Sequence, residues 1–113
     1  MFNEYPRPTM GKPVSMTTIK NRLKKIAPHV EPHLSNVRIN GHLHGCSGFL
    51  YDPETGAIVY LSTDLNHGTS SQALYRVADH LKDYTGGRNH FCDFDEITEC
   101  AVELLENLPA HSN

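Results

Sequence analysis

The stretch Gly48-Phe49-Leu50-Tyr51-Asp52-Pro53-Glu54-Thr55-Gly56-Ala57-Ile58-Val59-Tyr60-Leu61-Ser62-Thr63 decides the fold class. Two runs rich in aromatic and β-branched residues flank five residues of turn chemistry. Proline suits the second position of a turn because its ring presets φ, and glycine suits a position that needs positive φ. The spacing predicts a β-hairpin, with strands over Gly48–Tyr51 and Ala57–Thr63.

Upstream, residues 35–44 read Ser-Asn-Val-Arg-Ile-Asn-Gly-His-Leu-His, with Val37, Ile39 and Leu43 alternating against polar neighbours. Period two predicts a half-buried strand that presents Arg38, Asn40, His42 and His44 on its polar face. Further back, Thr17 and Thr18 offer capping oxygens, and Ile19, Leu23 and Ile26 recur at helical spacing until Pro28 forbids continuation. A helix over 18–27 follows. Pro6, Pro8, Gly11 and Pro13 break any period in residues 1–16, which predicts an extended arm ahead of one domain over 17–110.

Downstream, residues 64–71 carry loop residues able to cap whatever follows. Ala73, Leu74, Val77, Ala78 and Leu81 fit one helical stripe over 72–84, with Gly86-Gly87 as its stop; a strand through Leu74–Ala78 is the alternative. After Asp93 and Asp95, either of which can cap, Ile97, Cys100, Ala101, Leu104, Leu105 and Leu108 repeat at three and four. These elements predict an α+β fold: a three-stranded, mainly antiparallel sheet covered on one face by two or three helices, its other face polar.

A chain of 113 residues, 38% of them hydrophobic, suffices for one core. No apolar run is long enough to cross a bilayer, and the start, Met1-Phe2-Asn3-Glu4-Tyr5-Pro6, lacks the pattern of a secretory signal. Three cysteines, Cys46, Cys92 and Cys100, are too few and too odd for a disulfide framework, so the sequence predicts free thiols and a cytoplasmic location. Charge is unevenly placed. Residues 1–38 hold seven Lys or Arg against two acids, and residues 39–113 hold three against eleven.

Several patterns bear on chemistry. On an ideal strand His42, His44 and Cys46 share a face, and imidazole and thiolate are ligands zinc prefers. His67, His90 or Cys92 would be the fourth ligand. This alternative makes the chain a small zinc or thiol enzyme, yet no paired Cys-x-x-Cys or His-Glu-x-x-His spacing supports it. Cys46, Cys92 and Ser47 are the available nucleophiles, and no residue is assigned a catalytic role. Tyr84, Arg88, Asn89 and Phe91 lie in a stretch whose composition suits either a contact loop or an ordinary turn. Lys20, Arg22, Lys24 and Lys25 on the first helix could meet nucleic acid, without any reading-helix motif. Glu96, Glu99 and Glu103 on the last helix, with Asp93, Asp95 and Glu106, could imitate a row of phosphates or serve solubility alone.

The run Leu74-Tyr75-Arg76-Val77-Ala78-Asp79-His80-Leu81-Lys82-Asp83-Tyr84-Thr85-Gly86-Gly87-Arg88-Asn89 resembles a segment of small accessory proteins of phages and prophages. The resemblance implies a protein that binds a host enzyme or defence complex, as anti-CRISPR proteins do, and it brings no catalytic motif. The sequence therefore leads to a non-catalytic module that contacts a larger host protein or nucleoprotein complex, needs no cofactor, and works through Arg38, Asn40, His42, His44, the Tyr84–Phe91 stretch and the acidic helix.

Overall fold

A computed structural model describes residues 14–64, 72–77 and 88–108. Within them the chain runs α1 (Met16–Ile26), β1 (Glu31–Ile39), β2 (His42–Tyr51), β3 (Ile58–Ser62), β4 (Gln72–Val77), β5 (His90–Asp93), a 3-10 turn (Phe94–Glu96) and α2 (Ile97–Asn107). The class is α+β. The sheet has five strands in the order β1-β2-β3-β4-β5, every neighbouring pair antiparallel, where three were expected.

The difference begins at Asn40-Gly41. Asn40 has φ 53° and Gly41 φ 82°, the left-handed pair that a two-residue hairpin turn demands. What reads as one alternating strand over 35–44 is thus the end of β1 and the start of β2. The expected hairpin at 52–56 is present, and β2 pairs with β3 from Tyr51↔Ile58 to Ser47↔Ser62. Asp52 organises its turn: its Oδ1 accepts from Glu54 N–H at 2.9 Å and its carbonyl from Gly56 N–H at 2.7 Å. His29 Nε2 approaches the other Asp52 oxygen at 3.7 Å, linking the α1–β1 connection to that turn.

Residues 72–77 form β4, so the favoured helix over 72–84 is corrected to a strand there, and 78–87 lie outside the described residues. Pairing on both sides, Leu61↔Tyr75 with β3 and Leu74↔Phe91 with β5, satisfies the backbone of this short segment in a way its helical period could not reveal. His90–Asp93, the last residues of the expected loop and the start of the cap, are the edge strand β5.

Helix α1 starts earlier than expected, at Met16, because Ser15 is the N-cap: its Oγ accepts from Thr18 N–H at 3.4 Å. Residues 1–13 of the expected arm lie outside the described residues. Ile19 and Leu23 are buried as the spacing required, but Ile26 is 43% exposed and Ala27 takes the inward place. Helix α2 is entered through the 3-10 turn, and neither Asp93 nor Glu96 caps with its side chain. Instead Arg22 Nη1 donates to the carbonyls of Phe94 at 3.4 Å and Asp95 at 3.2 Å, fastening α1 to the entry of α2.

Both helices cover one face of the sheet. Ile19, Leu23, Ile97, Ala101 and Leu105 pack with Cys46, Leu50, Val59, Leu61 and Ala73 in the main core. The other face is not polar, as expected, but holds a second cluster of Phe49, Ile58, Tyr60 and Leu74, all buried, with Tyr51 packed against it. The strands β2 to β4 carry apolar residues at both parities, so they are fitted for burial on both faces. Phe49 and Tyr60 meet edge to face at 6.2 Å, and the Arg76 guanidinium lies 5.3 Å from the Tyr60 ring centre.

Candidate functional site

The histidine and cysteine pattern depends on strand parity, and the structure breaks that parity. Val37 pairs with Gly45 and Arg38 with Leu43, so His44 is an extra residue, a β-bulge. Cys46 belongs to the helix-covered core. Counting across the bulge, His42, opposite Ile39, falls on the other face, and it is exposed at the hairpin end. The shared face expected of His42, His44 and Cys46 is therefore absent: one extra residue flips every side chain beyond it. Among the described residues no three His, Cys, Asp or Glu side chains converge as a metal site would require. His67 lies outside them. His44 is half-buried, and its Nδ1 has no hydrogen-bond partner among the described residues.

The expected contact residues fall into three groups. Arg38, Asn40 and His42 gather at the β1–β2 turn, where Arg38 Nη1 donates to Gly41 O at 3.3 Å. Arg88, Asn89 and Phe91 sit at β5, with Phe91 47% exposed and Asn89 Oδ1 accepting from Arg76 Nη1 at 3.0 Å. Tyr84 lies outside the described residues. Since β1 and β5 are opposite edges, four strand spacings of roughly 4.8 Å separate these two groups by at least about 19 Å across the sheet. They do not make one patch.

Glu96, Glu99 and Glu103 form the third group and do share a surface. Together with Glu106 they recur at three, four and three, so they lie in one stripe along α2, and all are exposed. Helix α1 lies beside α2 on the same side of the sheet and exposes Lys24 and Lys25, with Lys20 half-exposed. The basic α1 and the acidic α2 thus lie side by side. Among the described residues none of these glutamates or lysines makes an ion pair. Arg22, by contrast, is committed to the carbonyls of the turn that leads into α2. No protein-family model, curated protein or solved structure matches the chain.

A fourth grouping joins residues far apart in the sequence. Tyr75, His90, Cys100, Glu103, Leu104 and Asn107 line a cavity of about 240 Å³ between the β4–β5 edge and α2. The Tyr75 and His90 rings stack at 5.1 Å and 24°. Burial pushes the Tyr75 hydroxyl up to about 12, helped by Cys100, Cys92 and Glu103 nearby. The Cys92 thiol is pushed well above its ordinary value, first by burial, then by its contact with Cys100. Only the strand reading of residues 72–77 could have placed Tyr75 on the side that meets Cys92 and Cys100. Burial likewise raises Cys46 despite the Thr63 hydroxyl beside it. Protonated thiols are poor nucleophiles, so this chemistry suits packing more than covalent catalysis.

These shifts fix a pH dependence. The folded chain holds its thiol and phenol protons more tightly than the unfolded chain. Their contribution to stability is complete below the ordinary thiol value of about 8.5 and is lost as pH rises beyond it. The melting temperature is expected to fall by about 5 °C or more between pH 8 and pH 10.5. A flat profile across that range, measured by circular dichroism, would contradict the assignment.

Proposed function

We propose that this chain is a non-catalytic binding module that docks on a larger protein or nucleoprotein complex through the acidic stripe of α2. It would occupy a basic groove there, as an inhibitor of a CRISPR-type defence nuclease would. The observation that carries this reading is the row of Glu99, Glu103 and Glu106 on α2 with Glu96 at its N-cap, all exposed and free of ion pairs among the described residues. Charges already neutralised within the molecule have little left to offer a partner, whereas an unpaired row projects a field that steers association with a basic surface. The resemblance of residues 74–89 to phage accessory proteins agrees with such a role, and the place of action would be the host cytoplasm.

Capture from extract of the source organism, or of its host, tests the reading with the full chain and an E96K/E99K/E103K variant. The wild type is expected to retain a partner that added DNA displaces. The variant should bind it at least about tenfold more weakly while remaining folded, its melting temperature lowered by the cations placed at the positive end of the α2 dipole. Retention unaffected by the charge reversals or by competing DNA would exclude the acidic stripe as the contact.

A further inference from the structure

Cys92 on β5 and Cys100 on α2 face each other across the joint between the edge of the sheet and the helix. Strand pairing fixes the first of them: Ala73 pairs with Cys92 and Tyr75 with His90, so these four side chains share one face, and Ala73 belongs to the core that the helices cover. Cys100 approaches the same face from α2, lining the cavity with Tyr75 and His90. The sulfurs meet there. The Cys92 thiol and the Tyr75 hydroxyl both donate hydrogen bonds to the Cys100 sulfur.

Both cysteines are half-buried free thiols. Cys46 shows the other arrangement, fully buried on β2 with its sulfur 3.6 Å from the Thr63 hydroxyl. Three strand spacings of roughly 4.8 Å put β2 at least about 14 Å from β5, well beyond the roughly 7 Å between Cα atoms that a disulfide can span. In the folded chain Cys92 therefore has only Cys100 within reach.

We propose that Cys92 and Cys100 are an oxidation-sensitive pair, which hydrogen peroxide converts into a disulfide that ties β5 to α2. Cys100, which lines the open cavity and receives both hydrogen bonds, attacks first as its thiolate: an S–O bond forms, the O–O bond breaks, and the departing hydroxide takes up the proton that Cys100 released, leaving as water. The Cys92 sulfur then displaces the sulfenic oxygen. An S–S bond forms, the S–O bond breaks, and the Cys92 proton leaves with the oxygen as a second water. Two thiols are oxidised and one peroxide is reduced. An uncharged oxidant suits the place, because the exposed Glu99 and Glu103 beside Cys100 repel an anionic one such as oxidised glutathione. Burial holds the Cys92 proton tightly, so closure of the disulfide is the slower step and quickens as pH rises.

The test treats the full chain, reduced and freed of reductant, with hydrogen peroxide and follows it by intact-mass and peptide mass spectrometry. The expected result is the loss of two hydrogens per chain, with a Cys92–Cys100 link as the sole product and dithiothreitol restoring the starting mass. Oxidation should raise the melting temperature by about 5 °C or more, since the link closes a short loop between β5 and α2. The same treatment in urea should yield links to Cys46 as well, because the fold no longer holds Cys46 apart. C92S should stop at a Cys100 sulfenic acid that dimedone labels. An unchanged mass, a gain of oxygen without loss of hydrogen, a link to Cys46 in the folded chain, links between chains, or an oxidised chain that melts no higher than the reduced one would each overturn the proposal. Mapping the wild-type link decides the matter even where C92S does not fold.

Discussion

Replacing Gly48 with Ala is expected to cost about 3 to 5 kcal/mol, enough to remove much of the stability that a domain of this size possesses. Gly48 has φ 151° and pairs with Leu34 across the β1–β2 ladder. A Cβ placed there would run into the His33 carbonyl oxygen and would sit 2.8 Å from Leu34 Cα. Both obstacles are backbone, so no rotamer change relieves them. Relief would require β1 to move away from β2, disturbing the ladder that keeps Pro32 and Leu34 beside Leu50 and Gly48. The backbone conformation itself adds strain, since a side chain at that φ costs of order 1 to 3 kcal/mol. Urea unfolding of G48A measures the effect. Gly41→Ala is the useful comparison, because nothing lies within 4 Å of a Cβ there and only the conformational strain applies at φ 82°. A G48A midpoint equal to that of the wild type, or a G41A variant as damaged as G48A, would show that β1 does not close over Gly48 as described.

The contrast between those two glycines also shows what could be read from the sequence. Asn40-Gly41 is a turn signal with a mechanism, yet the alternation of Val37, Ile39 and Leu43 runs straight through it and hides the turn inside an apparent strand. The signal that mattered was local chemistry, and the period misled because a two-residue turn preserves the alternation. His44 is a different case. Its bulge depends on Gly45 fitting against Thr63, a residue of the distant β3 end, so no local pattern announces it. That one residue removed the shared face on which the metal reading rested.

Elsewhere burial decided. Helix α2 was legible because its apolar residues repeat over three turns and are packed on a single side. Residues 72–77 were ambiguous because Ala73, Leu74 and Val77 satisfy either period, and only pairing with β3 and β5 chooses between them. In β5 hydropathy points the wrong way: Cys92 packs against the core while Phe91 is exposed. The acidic stripe was visible from spacing alone.

Thr63→Val is expected to lose about 2 to 4 kcal/mol although it changes the side-chain volume very little. Thr63 is fully buried at the end of β3. Its Oγ1 accepts the Cys46 N–H at 2.9 Å and donates to the Val14 carbonyl at 2.6 Å, while its own N–H reaches the Cys46 carbonyl at 2.8 Å. One hydroxyl therefore holds the backbone just after the bulge and the residue that leads into α1. Valine fills the same space and leaves both backbone groups without that partner, and each buried polar group so abandoned costs about 1 to 3 kcal/mol. Val14 is only half-buried, so water recovers part of its loss and the Cys46 N–H bears most of the penalty. Thr63→Ser keeps the hydroxyl and gives up one methyl group, which sets its expected cost nearer 1 kcal/mol. The ranking separates hydrogen bonding from packing, because packing alone would make Ser the worse substitution. Amide exchange supplies a second reading. Release of Val14 loosens the chain entering the Ser15 cap, so the Thr18 and Ile19 amides, which bond to Ser15, should exchange faster in T63V than in T63S. Wild-type stability in T63V, or unchanged exchange at those two amides, would mean that the hydroxyl does not join α1 to the sheet.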